Sequence, residues 1–490
     1  MYVWYLKRSI MLVVKLNKAQ FEYDIHSIVK AFYPEKDVKV LTPESVYKDK
    51  EWFHKEPNMV IEFSDEDIKI TMSKTYPTNL AITEEKYKDK FKKFIYRVLV
   101  LETGKELPWG NLTGIRPTKI AMGMLEDGQE QAEIIDFLER EHYVSYEKAK
   151  LSLDIAEREK RLLDTLHYEN GYSLYIGIPF CPTTCLYCSF TSYPICSWKN
   201  KIDQYLEAVF KEIDYVSEAY KDKILDTVYI GGGTPTTLEA DELDRLITKV
   251  KSTFNFENVK EFTVEAGRAD SITYDKLRVL KKHDVSRISI NPQTMKDETL
   301  KIIGRRHTVD EVIKAFEMAR QIGFDNINMD IILGLPGEME EDVAYTVDEI
   351  KKLNPDSLTV HSLAIKRASR LQAWITENGI ATLNNTDRTM EIAAKAADDM
   401  NMKPYYLYRQ KNMSGNFENV GYATEGKEGI YNILIMEEKQ TIVALGAGSI
   451  TKVVLPDGRI ERCDNVKDVG LYIEKIDEMI ERKKSLFALK

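Results

Sequence analysis

Cysteine is scarce in this chain, and long apolar runs, internal repeats and an excess of basic charge are missing altogether. Five cysteines in 490 residues are too few, and odd in number, for the disulfide framework that staples small secreted domains. No apolar run approaches the roughly 20 residues that a membrane helix needs, which excludes a membrane span. The N-terminal MYVWYLKRSIMLVVKLNK holds too short an apolar stretch for a secretory leader and has no small-residue cleavage site, so it reads as a β-strand. No fixed-period repeat or low-complexity tract is visible, which removes solenoid architectures. A formal net charge of -10 and a pI near 5.5 leave no electrostatic reason to expect nucleic acid as a partner. The expectation is a globular cytoplasmic protein with reduced thiols.

What is present has a marked change of texture. The length suggests roughly two to four domains. Residues 1–165 mix short β-like runs (MLVVKL, NMVIEF, IKITM) with helical charge patterns that end in EQAEIIDFLEREHYVSYEKAKLSLDIAEREKRLLDTL, the pattern of an N-terminal α+β domain. From Tyr172 the runs YSLYIGIP, DTVYIGG, EFTVEA, SRISIN, NINMDIILGLP and SLTVHSLA alternate with amphipathic stretches such as KIDQYLEAVFKEIDYVSEAY. Six βα units in series predict an α/β fold with parallel strands, over 166–380, and fit either a partial (β/α)6 barrel or a doubly wound sheet. In both, functional residues belong at the C-terminal ends of the strands. Residues 381–490 carry a further helix (RTMEIAAKAADDM), short strands and a closing helix VKDVGLYIEKIDEMIERKK, and read as a C-terminal cap domain over the barrel mouth.

Three of the five cysteines, Cys181, Cys185 and Cys188, fall within IPFCPTTCLYCSF, just past the first strand of this series. A zinc ribbon offers four ligands in two short-spaced pairs, whereas this loop offers three and no histidine follows nearby. Cys196, eight residues further and past Pro194, fits no usual ligand spacing. Three thiolates on a four-iron cubane leave one iron open to a substrate or cofactor. Structural core thiols would have no reason to repeat this spacing in a loop, and Cys196 and Cys463 read as ordinary core or surface thiols. The second strand ends in GGGTP, Gly231 to Pro235, where glycines let backbone approach a ligand closely.

The C-x3-C-x2-C loop after the first barrel strand resembles that of the radical S-adenosylmethionine (SAM) enzymes. The resemblance implies a partial (β/α)6 barrel between the N-terminal α+β domain and the C-terminal cap, with a [4Fe-4S] cluster held by Cys181, Cys185 and Cys188. Its open iron would chelate the amino and carboxylate groups of SAM, which one electron cleaves to a 5'-deoxyadenosyl radical. The set YIGIPFC, GGGTPT, RISINPQT, IIGRRHT and MDIILGLPGE, with LPWGNLTGIRPTKI and YYLYRQKNMSGNFENVGYA, further resembles the oxygen-independent coproporphyrinogen III dehydrogenase family and its HemZ branch, over roughly residues 100 to 460. Position by position, this implies SAM contacts from Tyr175, the Tyr187 backbone, Gly232, Gly233, Thr234, Glu265, Gln293, Arg305, Asp330 and Ala364. Phe417 and Ile450 match positions that shape a second SAM or substrate pocket. Taken singly, Glu265 and Asp330 equally suit strand-end residues that cap the next helix. Arg305 and Arg306 equally suit a solvated basic turn.

The implied reaction is oxidative decarboxylation of two propionates of coproporphyrinogen III to vinyl groups. Arg305, Arg306, Arg409 and Arg116 are the cationic candidates for the substrate's carboxylates, and a low-potential donor such as flavodoxin or ferredoxin is the implied partner. One departure stands out. The family's best-known members carry a second cysteine two residues after the third ligand, where this chain has Cys188-Ser189-Phe190, closer to the related haem chaperones. A haem-binding or haem-transfer protein on the same scaffold, or a radical enzyme acting on haem itself, is therefore the alternative expectation.

Overall fold

The described residues of the computed structural model are 11–45, 52, 54–114, 116–366, 369–379, 383–409 and 417–489. The first ten residues of the predicted N-terminal strand, Ile115 of GIRPTK and 410–416 of the YYLYRQKNMSGNFENVGYA segment lie outside them. The chain divides into two compact units. One takes the described residues up to Glu157 together with Thr376–Gly379, Tyr408, Arg409 and Phe417, and the other takes the rest from Arg158 onward.

The first unit carries a five-stranded sheet. Its strands are β1 (Met11–Leu16), β2 (Asp37–Leu41), β3 (Met59–Phe63), β4 (Ile68–Thr71) and β5 (Thr75–Thr78), in the order β2-β1-β3-β4-β5. Alternate residues of β1, Leu12, Val14 and Leu16, pack with Ile25, Ile28 and Phe91 from the helices Glu22–Phe32 and Tyr87–Thr103 into one apolar core, as the period of two for strands and 3.6 for helices requires. The long helical pattern after residue 130 breaks at Tyr143, whose φ of 57° is left-handed, into Gln131–His142 and Tyr146–Leu163.

In the second unit all six predicted runs are strands: β6 (Gly171–Ile178), β9 (Ile224–Gly232), β10 (Glu261–Glu265), β11 (Arg287–Ser289), β12 (Ile327–Leu333) and β13 (Ser357–Ser362), with β7 (Phe180–Cys181) and β8 (Tyr193–Pro194) forming a small side ribbon. Each of the six is parallel to the next in chain order. A doubly wound sheet reverses its strand order at a switch point, so the unreversed order decides for the partial (β/α)6 barrel. The connecting helices are amphipathic. Ile202–Ala219, for example, buries Ile202, Leu206, Val209, Ile213 and Val216 at helical spacing, which seats it on the sheet.

Residues 403–464 supply further strands to the same sheet at both edges. Here β14 (Lys403–Tyr408) and β15 (Asn419–Ala423) lie beyond β13, while β16 (Thr441–Leu445), β17 (Ile450–Val454) and β18 (Ile460–Asp464) lie beyond β6. β16 pairs parallel to β6 and β15 antiparallel to β13. The closing helix is two pieces, Val469–Glu474 and Ile476–Phe487, separated at Lys475. No described helix is long and apolar enough to cross a membrane.

The period-two alternation has a consequence for function. It sends Glu261, Thr263 and Glu265 of β10, Arg287 and Ser289 of β11, Asn328 and Asp330 of β12, and Ser357, Thr359 and His361 of β13 to one face of the sheet. That face is polar, and apolar residues of the same strands, such as Val264, Ile288, Met329 and Leu358, fill the other.

Candidate cluster and cofactor site

The cysteine loop leaves the C-terminal end of β6 and is fastened to two neighbouring segments. Leu186 N–H donates to Ile303 O at 2.9 Å, Leu371 N–H donates to Leu186 O at 2.9 Å, and Thr183 Oγ1 donates to Gly304 O at 2.9 Å. Leu186 and Tyr187 pack on an apolar patch that includes Leu300, Ile303, Ile332 and Leu371. Cys185 is buried, while Cys181 and Cys188 are half-buried. Burial pushes the Cys181 thiol up to about 11, against the opposing hydrogen bond from Thr234, and raises Cys188 as well. Metal binding must therefore displace protons from these thiols.

The glycine run does its work against the loop itself. Gly233 N–H donates to Ile178 O at 2.8 Å and Thr234 N–H to Phe180 O at 2.7 Å. A Cβ on Gly233 would lie 2.5 Å from the Phe180 carbonyl oxygen, so only glycine allows this approach. Gly232 takes a left-handed φ of 108°. Thr234 Oγ1 then stands 3.6 Å from Cys181 Sγ, which ties the GGGTP turn directly to a predicted ligand.

Beyond the loop, the strand ends collect the other expected residues. Tyr175 of β6 stacks on Tyr229 of β9 with ring centres 6.1 Å apart, and Tyr229 stacks on Tyr431 at 4.4 Å. The Tyr229 hydroxyl donates to Glu265 at the end of β10. Burial, opposed by that hydrogen bond and reinforced by the Asp330 charge, raises the Glu265 carboxyl to about 7. Asp330 behaves oppositely. Although burial pushes it up, His361, Asn328 and Thr359 hold it below the usual carboxylate range. Asn328 Nδ2 donates to it at 2.7 Å and His361 Nε2 lies 3.7 Å away.

Gln293 adopts φ 70°, a left-handed conformation that costs about 1–3 kcal/mol in a non-glycine residue. Two backbone hydrogen bonds to β12, Gln293 N to Asp330 O and Ile332 N to Gln293 O, both 2.9 Å, hold it there. Arg305 is buried just before the Thr308 cap that starts the helix Val309–Ile322. It donates to Asn291 O at 2.5 Å, to Gly267 O at 3.4 Å and to Tyr187 OH at 3.3 Å, and among the described residues its buried Nε has no hydrogen-bond partner. A buried unpaired donor is costly unless a ligand satisfies it. Ala364 is half-buried just past β13, and Ile450 is exposed at the start of β17.

The four cationic candidates separate. Arg306 is exposed. Arg409 is buried in the first unit, donating to Leu112 O at 2.6 Å and lying over the Trp109 ring, and Phe417 and Arg116 belong to the same unit. Neither Glu265 nor Asp330 caps a helix: Thr273 caps Tyr274–Lys282, and Met339 precedes Glu340–Leu353.

Residue patterns alone missed Arg268, His361 and Tyr229. Arg268 is 3% exposed. Its Nη1 donates to Thr183 O at 2.8 Å and Thr183 Oγ1 at 2.7 Å and lies 4.0 Å from Cys185 Sγ. The available signal was position: Arg268 stands three residues past Glu265, at the end of a barrel strand.

Among the described residues no three His, Cys, Asp or Glu side chains converge on a single-ion site. Thiolates around a cubane each grip a different iron, and the three thiols of one loop, with the buried Arg305 Nε, fit a cluster and a carboxylate-bearing ligand.

Comparison with known proteins agrees. The Radical SAM superfamily matches residues 175–350. An oxygen-independent coproporphyrinogen-III oxidase-like protein, HemZ of Bacillus subtilis strain 168, is 42% identical over 396 residues, 80% of this chain and 79% of that protein. The haem chaperone HemW of the same organism is 36% identical over 195 residues, 40% of this chain and 51% of the relative. The solved structure of coproporphyrinogen III oxidase HemN from Escherichia coli, a radical SAM enzyme, aligns with a TM-score of 0.52 at 22% identity, covering 68% of this chain and 73% of that one, which shows a shared fold. The cofactors are a [4Fe-4S] cluster and SAM, those of the superfamily. The chain belongs to the radical SAM family of oxygen-independent coproporphyrinogen III oxidase-like proteins, in its HemZ branch.

Proposed function

We propose that this chain converts coproporphyrinogen III to protoporphyrinogen IX without oxygen, in the cytoplasm, with electrons from a flavodoxin or ferredoxin. The observation that carries this reading is the conjunction of an open-position cysteine triad with 42% identity to HemZ along 80% of the chain. Each of two propionates would lose one hydrogen atom from its β-carbon, then carbon dioxide and one electron to an external acceptor, leaving a vinyl group. When bound, the cluster and SAM supply the hydrogen-abstracting radical, and the protein supplies orientation and a dry site.

In this reading Cys181, Cys185 and Cys188 hold three irons. Arg305 Nε is the donor offered to the SAM carboxylate, and Glu265 and Asp330 accept from its ammonium and ribose hydroxyls. Gly232, Gly233 and Thr234 shape the pocket wall, the Tyr187 backbone borders the last ligand, and Tyr175, Gln293 and Ala364 line the remaining side. Ile450 borders a second pocket. Arg306 is the exposed cation available to substrate carboxylates. Nucleic acid has no part. The division 1–165, 166–380 and 381–490 goes with this reading, with the middle segment carrying the chemistry.

A second reading rests on one observation. Phe190, in the place of the extra cysteine, is 75% exposed, and an exposed phenyl ring beside the cluster loop suits haem docking without decarboxylation. Anaerobic incubation with SAM, a reductant and coproporphyrinogen III separates the two. Products with two carboxyl groups fewer support the dehydrogenase, and tightly bound haem with unaltered substrate overturns it in favour of a carrier.

A further inference from the structure

We infer that Arg268 is a positioning residue that sets the reduction potential of the cluster through Cys185. The inference rests on the reading of Cys185 as a cluster ligand.

Three features of the site support it. Cys185, the buried member of the triad, has two buried guanidinium groups near it, Arg268 and Arg305. Arg305 bears on Cys185 as well, but its donors are shared with the Asn291 and Gly267 carbonyls and Tyr187, and among the described residues no carboxylate clamps it. Arg268 instead turns its Nη1 to the loop, with two hydrogen bonds to Thr183 and a 4.0 Å approach to Cys185 Sγ.

The opposite edge of the same guanidinium is clamped. Nε and Nη2 donate to the two oxygens of Asp270 at 3.0 and 2.6 Å. His307 stands behind Asp270, Nδ1 to Oδ1 3.5 Å. A rigid fork presents its cationic face to the sulfur while its counter-charge sits on the far side. Holding the loop requires only the two bonds to Thr183. A buried, always-charged group beside the thiol adds a fixed field that a neutral residue would not.

The direction follows from charge. Reduction adds one electron, and a positive charge in a site shielded from water favours the more negative state. Net charge and hydrogen bonds to sulfur are the levers by which proteins move iron-sulfur potentials. Arg268 should make reduction easier, and Asp270 should partly oppose it.

The test is an EPR-monitored redox titration of the anaerobically reconstituted full chain, with iron and sulfide measured on every sample. Arg268→Gln should keep its iron. At a fixed poise its reduced-to-oxidised ratio should fall about tenfold, or about 59 mV for a one-electron couple. Asp270→Asn should shift the ratio the other way, and Arg268→Lys, which keeps the charge, should stay close to wild type. Full iron with an unchanged potential in Arg268→Gln overturns the inference. So does loss of iron in both Arg268→Gln and Arg268→Lys matched by loss in Thr183→Ala, which would leave Arg268 a loop fastener only. Cys185→Ser that retains all its iron would instead overturn the ligand reading, and is scored separately.

Discussion

The two sheets of this molecule are built from opposite materials. The sheet of the first unit packs Leu12, Val14, Ile25 and Ile28 around the rings of Phe21, Phe63 and Phe91, with ring centres 5.2 and 5.3 Å apart. One face of the barrel sheet carries Glu261, Glu265, Arg287, Asn328, Asp330 and His361. Glu261 accepts from Ile430 N–H at 2.6 Å, and Arg287 Nη2 donates to Ser357 Oγ at 3.1 Å. Apolar burial is non-directional and stabilises roughly in proportion to area. A buried polar group stabilises nothing until it finds a partner, and each missing partner costs about 1–3 kcal/mol. The first sheet is therefore a scaffold that burial of apolar area maintains. The second keeps donors and acceptors in place at a cost in stability, which is the expected mark of a face that meets ligands.

Substitutions sharpen the contrast. The largest effect is expected at the cluster loop, where Cys185→Ala should reduce iron from about four per chain to near none after anaerobic reconstitution, while leaving the circular dichroism of the fold little changed. Retention of full iron would remove Cys185 from the ligand set. The next largest belongs to the apolar sheet. Phe91 is fully buried, so Phe91→Ala should cost about 3–5 kcal/mol in denaturant titration, with iron content per folded chain unaltered. A variant as stable as wild type would mean that this core is not close-packed.

The smallest effect, and the most specific, concerns pH. Glu265 is raised from its ordinary value to about 7, chiefly by burial. Its contribution to folding is thus complete below the unfolded value near 4.5 and is lost as pH rises through about 7. If Glu265 receives the SAM ammonium as proposed, binding needs the ionised carboxylate, so affinity should rise over the same interval in which this group's contribution to stability falls. Glu265→Gln should flatten both profiles, measured by calorimetry and by thermal unfolding. An affinity that ignores pH between 6 and 8 in the unmodified protein would return Glu265 to a purely structural role.

Much of this architecture was legible in one dimension. Strand rhythm is a local property: β-branched runs spaced by amphipathic helices specify parallel βα units wherever they occur, and all six expected strands are present. Ligand spacing is local too, since three cysteines in eight residues leave few geometries open, and the glycine turn after β9 lies where a functional rim was expected. Periodicity did not choose between barrel and doubly wound sheet, because it carries no information about strand order; the family resemblance implied the barrel, and the strand order bears it out.

The sequence by itself determined the cysteine triad, the six-strand series and, through motif resemblance, the family, because each is written in spacing along the chain. Only the tertiary structure decided that β16 runs beside β6, pairing Thr441 with Tyr172, and that Gly233 is required by the Phe180 carbonyl. It alone turned Arg268 toward Cys185 and set His361 against Asp330. These are encounters between residues tens to hundreds of positions apart, and burial, not proximity in sequence, selects which of them form.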